Sequence, residues 1–124
     1  MDTKIKRFIE YVPEWNENKK DKTPIVAELK YITTSEFDEC YDIEPQIVDE
    51  KGKKIAGGKI TVDKKKMFLF AVKGFKNFTL TDESDKKIEI KTGQDVLDNP
   101  GLEGLFLEII TFIRGMEAKV NSKN

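Results

Sequence analysis

Residues 4–12 alternate strictly, with Ile5, Arg7, Ile9 and Tyr11 on one side and Lys6, Phe8, Glu10 and Val12 on the other. That period of two predicts a strand, which Pro13 ends because it has no N–H to continue a ladder. The polar run Asn16–Lys22 reads as a turn. A second strand follows from Ile25 to Ile32, with Ile25, Ala27, Leu29 and Tyr31 sharing a face. The spacing allows the two to pair antiparallel. Thr33 and Glu36 stand three apart, as in a capping box, and predict a short helix to about Tyr41 that gathers Phe37, Cys40 and Tyr41 on one side. Ile43–Val48 is weakly strand-like and broken by Pro45, and Asp49-Glu50-Lys51-Gly52 reads as a turn. From Lys53 to Val62 the pattern supports no continuous element, and Gly57-Gly58 suggests a loop or hairpin tip.

The second half is more regular. Asp63 is placed to cap a helix over Lys64–Lys73, with Met67, Phe68, Phe70, Ala71 and Val72 on a broad apolar face and Gly74 where a C-terminal cap is expected. Phe78 and Leu80, then Ile88 and Ile90, share strand parity across a polar connection and predict a hairpin. A short helical turn over Gln94–Leu97 precedes Asn99-Pro100-Gly101. The last helix runs from Leu102 to about Ala118. At 100° per residue, Leu102, Leu105, Phe106, Ile109, Ile110, Phe112, Ile113 and Met116 fill an arc of about 160°, and Leu107 falls outside it. The expected fold is α+β, a small antiparallel sheet packed against two main helices and one or two short ones. The chain reads as one domain over 1–124, with residues 119–124 a frayed tail.

Composition narrows the chemistry. Among 124 residues there is no histidine, which removes Ser-His-Asp and Cys-His nucleophile pairs, His metal ligands, and the one side chain that ordinarily titrates near neutrality. The expectation is a protein that is not an enzyme and holds no cofactor or metal. Twenty-two basic residues nearly balance 23 acidic ones, unlike the basic excess of a nucleic-acid binder. The single cysteine, Cys40, closes no intrachain disulfide, and with no basic neighbour in sequence it reads as buried and structural. There is no secretory signal and no apolar run of membrane-spanning length, so a cytoplasmic protein is expected. The segment Gly52–Ile60 imitates a phosphate-binding loop, but Gly57 is followed by Gly58, and Lys59 by Ile60 instead of Ser or Thr. Asp82-Glu83-Ser84-Asp85 clusters oxygen ligands, yet Lys87 and Gly93 occupy the sixth and twelfth positions of the calcium loop it would need to be.

Charge is segregated within the balanced total. Ser35–Glu50 holds seven acidic residues and no basic one, whereas Lys51–Lys66 holds seven lysines and one acid. Without arginine or interleaved aromatics the lysine run does not read as a nucleic-acid site; complementary packing within the chain or between copies is the alternative. Trp15, alone in a polar loop, is either a lid folded back on the core or an exposed partner anchor.

The order of elements, with Trp15-Asn16-Glu17-Asn18 after the first strand, Thr33-x-x-Glu36 after the second, and Leu97 before Pro100-Gly101-Leu102 and an amphipathic helix, resembles the small tail assembly chaperones of long-tailed bacteriophages, those of Gram-positive hosts in particular. Glu17 stands where that pattern would carry a glycine, and residues 44–62 fall outside the resemblance. The resemblance implies a non-catalytic protein of the infected or lysogenic host's cytoplasm that binds the tape-measure protein and assists tail-tube protein assembly. The apolar stripe of the last helix is wider than one small sheet normally needs, so Leu107 and Ile110, flanked by Phe106 and Ile113, would then face a partner helix or a second copy, with Trp15 as a further contact. The alternative is that the whole stripe is internal core. A structural adaptor or minor tail component of the virion, or a small anti-defence protein that occludes a host enzyme, are the alternatives.

Overall fold

Alternation at the start of the chain builds β1 (Phe8–Tyr11), which pairs antiparallel with β2 (Val26–Lys30) in the register Ile9↔Leu29 and Tyr11↔Ala27. The structure, a computed structural model, describes residues 1–122, with side chains through Met116, so the tail expected at 119–124 lies outside the fully described residues. The inward parity is the one the sequence predicts: Ala27 and Leu29 are fully buried, while Phe8 and Glu10 point to solvent. On that outer face the Lys73 ammonium lies 4.2 Å from the Phe8 ring centre, and Lys76 pairs with Glu10 at 3.1 Å.

The capping box forms as expected. Thr33 Oγ1 accepts from Glu36 N–H, the Glu36 carboxylate accepts from Thr33 N–H, and α1 (Thr34–Cys40) follows. Asp63 caps α2 (Lys64–Ala71) by accepting the Lys66 N–H. The helix stops earlier than its sequence pattern suggests. It passes directly into β7 (Val72–Lys76), which joins β2 to complete a three-stranded sheet ordered β1-β2-β7. Gly74 is therefore a strand residue opposite Glu28 and not a helix cap. A Cβ there would sit 3.0 Å from the Lys91 carbonyl, whose oxygen accepts the neighbouring Phe75 N–H; close approach of two backbones, not helix termination, accounts for this glycine.

The predicted hairpin is β8 (Thr79–Thr81) with β9 (Lys87–Glu89), and the short turn is α3 (Gly93–Asp98), capped by Thr92 and Asp95. The last helix, α4 (Glu103–Ser122), lies against α2 with the rings of Phe106 and Phe68 edge to face at 5.0 Å. One core joins Leu29, Met67, Phe68, Ile90, Leu105, Ile109 and Ile113, all essentially inaccessible to water. This is the α+β architecture expected, with α2 at its centre.

Two caps make the fold pH-sensitive. Backbone N–H groups of Thr33 and, for Asp95, of Lys91 and Thr92 hold the Glu36 and Asp95 carboxyls below their ordinary pKa, with Lys30 adding to the effect at Glu36. Because each folded pKa lies below its unfolded value, the stabilisation is present in full above the unfolded range and is lost as pH falls through the folded one. E36Q/D95N should therefore be less stable than the parent at pH 7 and converge with it on acidification, in unfolding curves recorded from pH 7 to 3.

Candidate interaction surface

Between α1 and α2 the chain leaves the body and returns. β3 (Tyr41–Ile43) pairs antiparallel with β6 (Ile60–Val62), and farther out β4 (Ile47–Val48) pairs with β5 (Lys54–Ala56). The pairs Tyr41↔Val62, Ile43↔Ile60 and Ile47↔Ala56 belong to one register, so residues 41–62 form a single two-stranded arm. Asp63 N–H donates to Cys40 O at 2.7 Å and closes its base, bringing the end of α1 against the start of α2.

This corrects the expectation that 53–62 holds no element and that Gly57-Gly58 marks a tip. The tip is Asp49–Lys53: Asp49 Oδ1 accepts from Lys51 and Lys53 N–H, and Gly52 supplies the left-handed residue at φ 82°. The same device turns β8 into β9, where Asp82 Oδ1 accepts from Ser84 and Lys86 N–H and Asp85 takes φ 60°. Both are hairpin loops of Asp-Glu-x-x-Lys sequence with a left-handed fourth residue. The Asp82 carboxylate thus serves a turn. Gly57 and Gly58 lie halfway along the arm at φ 77°, and a Cβ on Gly57 would come within 2.0 Å of Pro45 O, so the local twist there requires glycine.

Among the described residues the arm carries most of the exposed aliphatic bulk. Ile43, Ile47, Val48, Ile55 and Ile60 range from 49% exposed at Val48 to 68% at Ile43. The shared register puts Ile43, Ile47, Ile60 and Ala56 at positions of one parity, with Asp42, Glu44 and Lys59 at the other. The segregated charge of the sequence now has a place. The acidic run spans α1 and the outgoing strands, and the lysine run spans the returning strands and the start of α2.

The other expected contact residues fare differently. Ile110 and Ile113 are buried in the core and are closed to any partner; Phe106 is half-buried against Phe68. The wide stripe of α4 is needed in full by the chain's own interior, because α2, α3 and the Trp15 loop all pack on it. Of the set on α4, Leu107 alone is well exposed, at 52%. It lines a shallow depression with Tyr11, Glu108, Thr111 and Phe112.

Trp15 is a lid. It is half-buried, with Gly104 beneath its indole (a Cβ there would meet Cδ1 at 3.5 Å) and Phe78 alongside at 6.2 Å. Each remaining residue of its motif has a folding role. Asn16 and Glu17 take left-handed backbone at φ 53° and 56°. Asn18 is buried; its Nδ2 donates to Pro13 O and Ile25 O, and its Oδ1 accepts from Ile25 N–H at 2.7 Å. Glu108 holds the loop from the opposite side, accepting from Tyr11 Oη at 2.6 Å and from the Glu14 and Trp15 N–H groups at 2.7 and 2.9 Å. Burial and this carboxylate raise the Tyr11 pKa well above the ordinary phenol range, and its ring stacks on Phe112 at 4.2 Å. Sequence reasoning missed both Asn18 and Glu108. The available signal was an acidic residue set between Leu107 and Ile109, within the most apolar stretch of the helix, Leu105–Ile110.

Glu17 is the odd member of the loop, since a left-handed backbone costs a residue with a Cβ about 1–2 kcal/mol and its ion pair with Lys20 is largely exposed to water. Glu17→Gly should raise stability by about 1 kcal/mol, read as a higher urea midpoint at unchanged m value.

Chemistry elsewhere is spare. Cys40 is buried, and burial, with Asp63 adding to it, pushes its thiol pKa up. Among the described residues no group of His, Cys, Asp or Glu side chains is placed to hold a metal ion, and no helix is long and apolar enough to cross a membrane. Compared with known proteins, the chain matches no family model, no curated protein and no solved structure.

Proposed function

We propose that this protein is a non-catalytic protein-binding domain whose arm, residues 41–62, presents an aliphatic surface to a partner. The observation that carries the reading is the arm itself: five Ile and Val side chains held in water on a ribbon outside a core that is already closed. Exposed apolar side chains grouped on a projecting element mark an interaction site, and covering each contributes about 1–2 kcal/mol.

The order of the surrounding elements, which resembles that of phage tail assembly chaperones, supplies the finer proposal. The partner is a long helical tape-measure protein, kept soluble in the host cytoplasm while tail-tube protein assembles around it. The test is co-expression with a tape-measure protein of a long-tailed bacteriophage. The proposal expects that protein to become soluble and to co-purify. A tape measure that stays insoluble, with nothing captured, contradicts it. Stoichiometric retention of the chain in purified particles would reassign it as a structural tail component.

A further inference from the structure

We infer that the chain binds a neutral saccharide in the cavity between the Trp15 loop and the outer edge of β8. No residue of the arm lines that cavity, so the inference is independent of the partner proposed above.

The cavity measures about 350 Å³, within the range that holds small ligands. One wall is the free edge of β8. Ile90 N–H donates to Phe78 O and Asp82 N–H to Lys86 O, so the ladder to β9 uses the backbone of residues 78, 80 and 82. The N–H and C=O groups of Thr79 and Thr81 therefore point away from β9, on the side of the cavity these residues line, and among the described residues no other strand pairs with β8. The opposite wall is the loop 15–23. Among the described residues the Asn16 amide, Asn77 Oδ1 and the hydroxyls of Thr23, Thr79 and Thr81 make no hydrogen bond within the chain. Between the walls, Trp15 and Phe78, with ring centres 6.2 Å apart, and the half-buried Leu80 supply an apolar floor.

Backbone conformation marks the same place. Among the described residues four besides glycine hold a left-handed backbone, and three of them, Asn16, Glu17 and Asn77, line this cavity; the fourth, Asp85, turns the β8–β9 hairpin. Such strain gathers at ligand sites. Asparagine bears it at little cost, but Glu17 does not, and its exposed ion pair with Lys20 returns little. A glutamate kept where glycine would be more stable points to a side chain retained for binding.

The lining then selects the ligand. It contains no lysine or arginine, which leaves an anion without a counter-charge. Its carboxylates are already engaged, Glu17 with Lys20 and Asp21 with the Thr23 N–H, and among the described residues no acidic group is placed to hold a metal ion, so a cation gains little. An extended peptide would find rungs only at Thr79 and Thr81, because left-handed Asn77 and the Asp82 turn bend the edge away on either side. A compact ligand whose rim both donates and accepts fits instead. A sugar ring has that form, with hydroxyls for the threonines and asparagines and C–H faces for the aromatic floor.

The test is titration of the isotope-labelled full chain with glucose, galactose, mannose and N-acetylglucosamine, followed by amide NMR shifts, with glycerol as an open-chain polyol and methylguanidinium as a cation for comparison. At least one sugar should shift the Asn16, Thr79 and Thr81 amides and the Trp15 indole N–H saturably at millimolar concentration, and glycerol and methylguanidinium should not. Glu17→Gly should bind that sugar about tenfold more weakly, the loss of one hydrogen bond to a charged group, although it is the more stable protein. A purely structural Glu17 would change stability and leave the affinity where it was. T79V/T81V keeps branched side chains on an exposed strand and should weaken binding to a similar degree. No saturable shift with any of the sugars, shifts equalled by glycerol, a preference for methylguanidinium, or unchanged affinity in Glu17→Gly and T79V/T81V would each overturn the inference.

Discussion

Asn18→Ala should cost about 3 kcal/mol and lower the unfolding midpoint by about 10 °C or more. The amide is buried and is the common partner of the Pro13 carbonyl and of both backbone groups of Ile25, so it ties the end of the first strand to the approach of the second. Alanine leaves three backbone groups short of a partner, each worth about 1–3 kcal/mol when buried and unmet. Asn18→Asp keeps the acceptor but sets a carboxylate oxygen against the Pro13 and Ile25 carbonyls, and should be at least as destabilising as alanine at pH 7. Thermal unfolding by circular dichroism orders the three proteins. The same experiment decides what the Trp15–Asn18 motif is for, because a docking motif would lose binding on substitution and leave stability unchanged.

Replacing residues 41–62 by a two-residue turn should have the opposite signature. The arm's base is spanned by the Asp63 to Cys40 hydrogen bond, and its aliphatic side chains from Ile43 to Ile60 lie outside the buried core. The body should keep its cooperative unfolding and lose about 1 kcal/mol or less, chiefly from Tyr41 and Val62, which pack on the core's margin. Association with a partner should disappear. Few single segments of a small domain can be removed at so little expense to the fold.

The body was legible in the sequence because its signals are local. Parity predicted the faces of β1 and β2, Thr33 with Glu36 marked one helix start and Asp63 another, and the 3.6 period marked α4. What the sequence hid was tertiary. Nothing local says that α2 should turn into a strand at Val72, since the reason is the Lys91 backbone pressed against Gly74. The stripe on α4 looked too wide for one sheet because the sequence does not reveal that two helices and a loop share it. The structure decides for the interior: Ile110 and Ile113 are core residues and not partner contacts. The arm escaped notice because Pro45 and the paired glycines interrupt its alternation. Its register is visible only once the Asp49–Lys53 turn is set at its tip and Ile43 and Ile47 are matched to Ile60 and Ala56. Charge segregation was the legible trace of it, a hairpin with one acidic and one basic strand seen end to end.

The claim that the arm binds and the body folds is tested most directly by I43D/I60D in the co-expression capture, with urea unfolding of the same preparation. Both side chains are more than 60% exposed and face each other across β3 and β6. The account predicts that unfolding stays within about 0.5 kcal/mol of the parent while capture falls by at least tenfold. Undiminished capture by the stably folded variant, or loss of the fold with the two aspartates, would contradict it.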